Sequence, residues 1–203
     1  MTATDQDAGL QLADDAQDLL FRDARTANTF SDEPVSDEQV RAIYDLVKWA
    51  PTSMNQQPLR VVLVRSDEGK QRLLPHLVEG NREKTGKAPL VAVLAADTEF
   101  HEQLPRLFPH FPGAKDVWAD DDFRTEHAKL NATLQIGYFI LGVRAAGLAA
   151  GPMTGLDAAG LTEEFFPGGK HKVLVVVNIG KPGEDAWFER LPRLDYDEVV
   201  TTV

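Results

Sequence analysis

The sequence predicts an α+β domain with one central sheet wrapped by helices. Three short aliphatic and β-branched runs alternate with helix-patterned segments, residues 122–146 read as one long helix, and no internal repeat interrupts the order. The chain has 203 residues, 43% of them hydrophobic, enough to bury a core of its own. We divide it into an acidic N-terminal arm running into the first helix, residues 1–18, and a single domain, residues 19–203.

The first helix is expected over residues 12–25, with Leu12, Ala16, Leu19 and Leu20 as its apolar stripe. After the turn "RTANTF", Ser36 and Gln39 fit a capping box. Val40, Ile43, Tyr44 and Val47 follow at helical spacing, and Pro51 ends that helix near Trp49. "LRVVLVRS" and "APLVAVLAAD" read as two buried strands, joined by a helix and a polar connection. "LPRLFPHFPGAKDVW" reads as an irregular, mobile excursion. The second half of the long helix is apolar all round, so other elements must wrap it, within the subunit or across a subunit interface; Gly137, Gly142, Ala145 and Ala146 are small enough to let another backbone come close, as in a dimer. "HKVLVVVNIG" is a third buried strand, and "RLPRLDYDEVVTTV" a tail with a weak final strand.

Charge narrows the partners. The formal net charge is −11, which argues against nucleic acid. Residues 1–40 hold ten acids and two arginines, so −8 of that charge is an N-terminal coating and −3 is left for the other 163 residues. A local basic pocket for an anionic cofactor is therefore affordable. Without cysteine there is no disulfide, thiolate metal site or thiol nucleophile. The opening "MTATDQDAGL" does not resemble a secretory signal, and the apolar run "IGYFILGV" is too short to span a membrane, so a cytoplasmic protein is expected.

Several catalytic signatures come close and miss. "GNREKTGKA" spaces its glycines wrongly for a phosphate loop and has Ala88 in place of the metal-binding hydroxyl. "HEQLP" ends in Pro105 where a zinc helix needs histidine, and the five histidines show no ligand spacing; no metal is expected. There is no GxGxxG or GxSxG, and Ser53 has no base near it in sequence. With no catalytic side chain in view, chemistry carried by a cofactor fits best.

Four polar clusters remain at element edges: "RTANTF" from Arg25, "PTSMNQQP" from Pro51, "GNREK" from Gly80 and "GPMTGLD" from Gly151. Each alone fits an ordinary turn or cap. With "ARTANTF", "LVKWAPTSMNQQP", "LFPH", "GLAAGPMTGLD" and "RLPRL" in this order, the chain resembles the flavin-dependent nitroreductase family over residues 19–194, and within it the RutE-like malonic semialdehyde reductases.

That resemblance implies a mostly antiparallel sheet and a homodimer, its long helix at the interface, holding FMN in two sites lined by both chains. Arg25, Thr26 and Asn28 would meet the phosphate and ribityl chain, with Arg190 returning there. Asn28 and Phe188 stand where many members have basic residues, and Arg193 could compensate. Asn81 and Lys84 match the residues on the flavin pyrimidine edge, and Pro152, Thr154 and Gly155 the loop near N5. Pro51, Thr52, Ser53 and Asn55 would reach the FMN of the neighbouring chain, which would leave them few partners in their own. The implied reaction is a ping-pong hydride transfer from NAD(P)H through flavin N5 to a small carbonyl acceptor such as malonic semialdehyde. A broader nitroaromatic, quinone or enone reductase and a non-catalytic flavin-binding protein are the rival readings. Lys115, Arg124 and Arg106 are candidates for an acceptor carboxylate.

Overall fold

The computed structural model describes residues 9–203; the first eight residues of the acidic arm lie outside the described residues. Helix α1 (Asp14–Gln17) runs into a π-turn over Asp18–Arg22, and α2 (Asp37–Val47) opens on the expected capping box between Ser36 and Gln39. Strand β1 (Leu59–Val64), α3 (Asp67–Leu73), α4 (Glu79–Lys87) and β2 (Leu90–Asp97) follow. Then come short α5 (Leu104–Leu107), long α6 (Asp121–Ala145), β3 (Ala149–Met153), α7 (Ala158–Phe165), β4 (His171–Gly180) and α8 (Tyr196–Val199).

The four strands form one antiparallel sheet in the order β1-β2-β4-β3. Strand alternation sends Leu90, Ala92 and Leu94 of β2 to one face, where Ile43 and Val47 of α2 and Ile136, Phe139 and Val143 of α6 cover them. Val91, Val93 and Ala95 point to the other face and meet Leu73, Leu77, Leu161 and Phe166. A strand covered on both faces reads as a continuous aliphatic run, which is why β2 and β4 are conspicuous in the sequence.

Several expectations change. β1 is a half-exposed edge strand, with Val61 39% and Leu63 38% accessible, and not a buried one. β3 was not anticipated: "AAGPM" has two small residues, a glycine and a proline, and becomes a strand by pairing with β4, Gly151 opposite Asn178. The first helix covers less than expected, and Leu12 and Leu19 of its stripe stay exposed while Gln17 is buried. Tyr44 likewise lies outside the core.

The Pro-rich excursion is anchored at both ends, although residues 109–112 in its middle are exposed. Phe100, Leu104, Ala114 and Trp118 bury against Ala128 and Ala132 of α6. Buried Arg124 donates to the carbonyls of Thr98 and Trp118 at 2.8 and 2.7 Å and pairs with Glu99 and Asp121. The tail forms no strand with its own chain; beyond Ala186 it is exposed and ends in the short α8. None of the described helices is long and apolar enough to cross a membrane.

Candidate functional site

The site assembles at the β3 edge of the sheet from three segments. The first is the turn after the π-helix, laid against β3: Ala27 N–H donates to the Ala150 carbonyl at 3.3 Å and Asn28 N–H to the Ala186 carbonyl at 3.0 Å. A Cβ on Gly151 would come within 2.9 Å of the Ala27 carbonyl, so glycine is what lets the turn approach. Arg25 donates to the Phe188 carbonyl at 3.2 Å, and Arg190 reaches back to the carbonyls of Arg22 and Ala24. The tail thus places Arg190 beside the turn that carries Arg25. Arg193 instead folds onto the carbonyls of Leu191 and Pro192 beside it, so the structure gives it no part in this cluster.

The second segment is α4, which carries Asn81 and Lys84, and the third is the loop after β3, which carries Thr154 and Gly155. The Gly155 carbonyl accepts from Val78 N–H at 3.1 Å and from the Asn81 amide at 3.3 Å. Leu77 and Leu156 form an isolated antiparallel bridge, and Asp157 N–H donates to the His76 carbonyl at 2.7 Å. A Cβ on Gly155 would lie 2.8 Å from Val78 and 3.0 Å from the Asn81 amide, so no larger residue fits without displacing them. Asn28, Thr29 and Phe30 face Gly80, Glu83, Lys84 and Lys87 across a cavity of about 250 Å³. Asp157, the N-cap of α7, has its carboxyl held below the usual range first by the Gly160 N–H.

This edge also carries cations. Among the described residues Arg25, Lys84 and Arg190 have no carboxylate within 4.0 Å, although the chain has 11 more acids than bases. Uncompensated cations beside amide donors and a glycine-thinned backbone can hold a phosphorylated, planar ligand.

The loop with Pro51, Thr52, Ser53 and Asn55 lies elsewhere, before β1, at the opposite edge of the sheet. Its groups are better satisfied within their own chain than expected. Ser53 N–H donates to Asn131 Oδ1 at 2.8 Å, Thr52 Oγ1 accepts from Gln57 N–H at 3.2 Å, and the Asn55 amide donates to the Leu107 carbonyl at 2.9 Å. Met54, Asn55 and Gln57 all have positive φ, 48°, 52° and 45°, a strained path for non-glycine residues. Gln56 is fully buried, and neither polar atom of its side chain has a partner among the described residues.

Two motifs that miss in the sequence also read differently in space. "GNREKTGKA" is helical through Lys87 and offers no phosphate loop. Ligand atoms of Glu99, His101 and Glu102 lie within 4.8 Å of one another, yet Glu99 already pairs with Arg124 at 3.1 Å and Glu102 with Lys115 at 2.7 Å.

The nitroreductase family model matches residues 22–181. A Streptomyces griseus protein provisionally named NADH dehydrogenase/NAD(P)H nitroreductase is 69% identical over 189 residues, covering 93% of this chain and 96% of that protein. A Streptomyces coelicolor protein of the same name is 67% identical with the same coverage. The solved structure of a provisionally named nitroreductase in complex with FMN, from Exiguobacterium sibiricum, superposes with a TM-score of 0.81 at 19% identity, covering 95% of this chain and 99% of that one. The family match spans the sheet and every segment that builds the β3-edge cluster except Arg190, and on it this chain belongs to the nitroreductase family.

Proposed function

We propose that the chain is an FMN-dependent NAD(P)H oxidoreductase acting as a homodimer, and that its acceptor is a small carbonyl compound such as malonic semialdehyde, reduced to 3-hydroxypropionate. The observation that carries the flavin reading is the β3-edge cluster: the tail, the turn after the π-helix and α4 bring Arg190, Arg25 and Lys84 to one edge, where Gly151 and Gly155 permit close backbone packing. The NAD(P)H in the relatives' name and the FMN bound by the Exiguobacterium protein support the same reading.

In this reading Arg25 and Arg190 hold the phosphate, with Thr26 and Asn28 at the ribityl chain. Lys84 stands at the pyrimidine edge, where its ammonium favours negative charge, and the Asn81 amide suits that edge's mixed donors and acceptors. Gly155 lets the loop after β3, with Thr154, pack against Val78 and Asn81 and so places that backbone beside the pyrimidine-edge residues. FMN held by these residues would supply the redox chemistry, as a two-electron hydride carrier between NAD(P)H and the acceptor.

One chain does not close such a site. Pro51, Thr52, Ser53 and Asn55 precede β1, and β1 itself lies three strand spacings, about 14 Å, from β3. A second copy would supply them, and the exposed surface suits one. Leu130, Leu134 and Tyr138, at 60%, 50% and 43% accessible, share a face of α6 with Gly137. Phe188, Leu191, Leu194 and Val199 of the tail are also exposed.

For an acidic acceptor, Arg106 is the best placed of the three candidate cations. Arg124 is buried in its own ion pairs and Lys115 is bound to Glu102, whereas Arg106 has no carboxylate partner among the described residues and lines a cavity with Gln57 and Leu107. Purified protein should be yellow, absorbing at about 450 nm, and consume NAD(P)H steadily with an acceptor other than oxygen. Colourless protein would remove the flavin, and flavin without turnover would leave a carrier. In anaerobic stopped-flow with reduced enzyme, slower reoxidation by malonic semialdehyde than by nitroaromatics would replace the narrow acceptor with a broad one.

A further inference from the structure

Helix α4 bears two of the proposed flavin contacts, yet its sequence, EGNREKTGK, contains no large apolar side chain. A surface helix normally takes its rotation and height from an apolar stripe pressed into the core. Here that means is missing, and Thr85 is the one buried residue of the helix.

Thr85 is held by polar contacts instead. Its hydroxyl accepts from the Asn178 amide at 3.1 Å and faces Met153 Sδ at 3.6 Å, with Thr85 and Asn178 both fully buried. Asn178 belongs to β4, paired on one side with Val91 of β2 and on the other with Gly151 of β3. Met153 ends β3, directly before Thr154. The contact therefore ties a central strand, the N5-side loop and α4 at a single hydroxyl. Thr85 follows Lys84 in sequence and lies one turn from Asn81.

The arrangement has a cost. Asn178 Oδ1 is buried without a partner among the described residues, in a sheet otherwise lined by valine and alanine. An apolar pair would avoid leaving that carbonyl unpaired, whereas a directional hydrogen bond specifies one register for a helix that apolar packing does not locate.

We infer that Thr85 and Asn178 are positioning residues, whose hydrogen bond sets the height and rotation of Lys84 and Asn81 and thereby tunes the reduction potential of the bound flavin. The inference rests on the FMN reading proposed above. Lys84 can stabilise charge on the reduced flavin only from the right place, so a loosened α4 should make the flavin harder to reduce.

The test compares wild type with Thr85→Val, Thr85→Ser, Asn178→Leu and Lys84→Met by two measurements. Hydrogen exchange of the α4 amides in protein stripped of FMN reads the tie without the cofactor; Thr85→Val and Asn178→Leu should each speed it about fivefold, the scale of one buried hydrogen bond, and Thr85→Ser should restore it. The midpoint potential of the loaded protein should move negative in Thr85→Val and Asn178→Leu, in the direction of Lys84→Met, and return in Thr85→Ser. Unchanged α4 exchange in Thr85→Val overturns the inference. So does faster exchange or a lower melting temperature with an unmoved potential, since the contact would then be structural alone. If wild type takes up no FMN, or Lys84→Met leaves the potential where it was, the site reading itself has failed, and the exchange result shows separately whether the tie exists.

Discussion

Arg25 is exposed, without a carboxylate partner among the described residues, and held only by the Phe188 carbonyl, so its replacement disturbs little besides charge. Arg25→Glu should leave the assembly folded and strip FMN, read as loss of visible absorbance at unchanged circular dichroism; full flavin retention would contradict the phosphate assignment. Arg106→Gln is a test of a different kind. It should raise KM for an acidic acceptor several-fold and leave kcat with a neutral nitroaromatic unchanged, because only the former needs a countercharge. At this scale the sequence is informative where a residue type is rare for its place. The Ser36–Gln39 capping box is legible from its spacing. The burial of Arg124 is not, because a charged side chain in a Pro-rich neighbourhood reads as solvated until the carbonyls of Thr98 and Trp118 are seen to converge on it.

Among the elements, the contact between α2 and α6 is the one most exposed to a single change. Gly142 faces Val47 and Ile43, and a Cβ there would overlap a Val47 methyl and lie 3.2 Å from Ile43. Gly142→Val should cost about 1–3 kcal/mol by overpacking, seen as a lower urea midpoint with an unchanged slope. Helices α2 and α6 were readable from their capping box, apolar spacing and length. Strand β3 was not, because its residues have little strand propensity and their conformation comes from the partner strand. The Pro-rich excursion was readable as irregular, but not that its two ends are anchored, since the burial of Leu104 and Trp118 depends on Ala128 and Ala132 of α6.

For the whole molecule, the decisive fact is that the proposed flavin residues divide between opposite sheet edges. Leu134→Arg, on the exposed face of α6, should convert the proposed dimer to monomer in sedimentation velocity and release FMN at the same step, since each site would draw Pro51 to Asn55 from the other chain. A monomer that keeps its flavin would show that one chain suffices. The sequence by itself determined the α+β class, the α2 cap, the long helix and the family, because these depend on local periodicity and on motif order along the chain. Only the tertiary structure decided that β1 is an edge, that the loop from Pro51 bonds largely within its own chain, and that the helix bearing Lys84 is tied to β4 through the Thr85 hydroxyl. Those properties arise from contacts between residues as far apart as Thr85 and Asn178, and periodicity along the chain carries no record of such pairings.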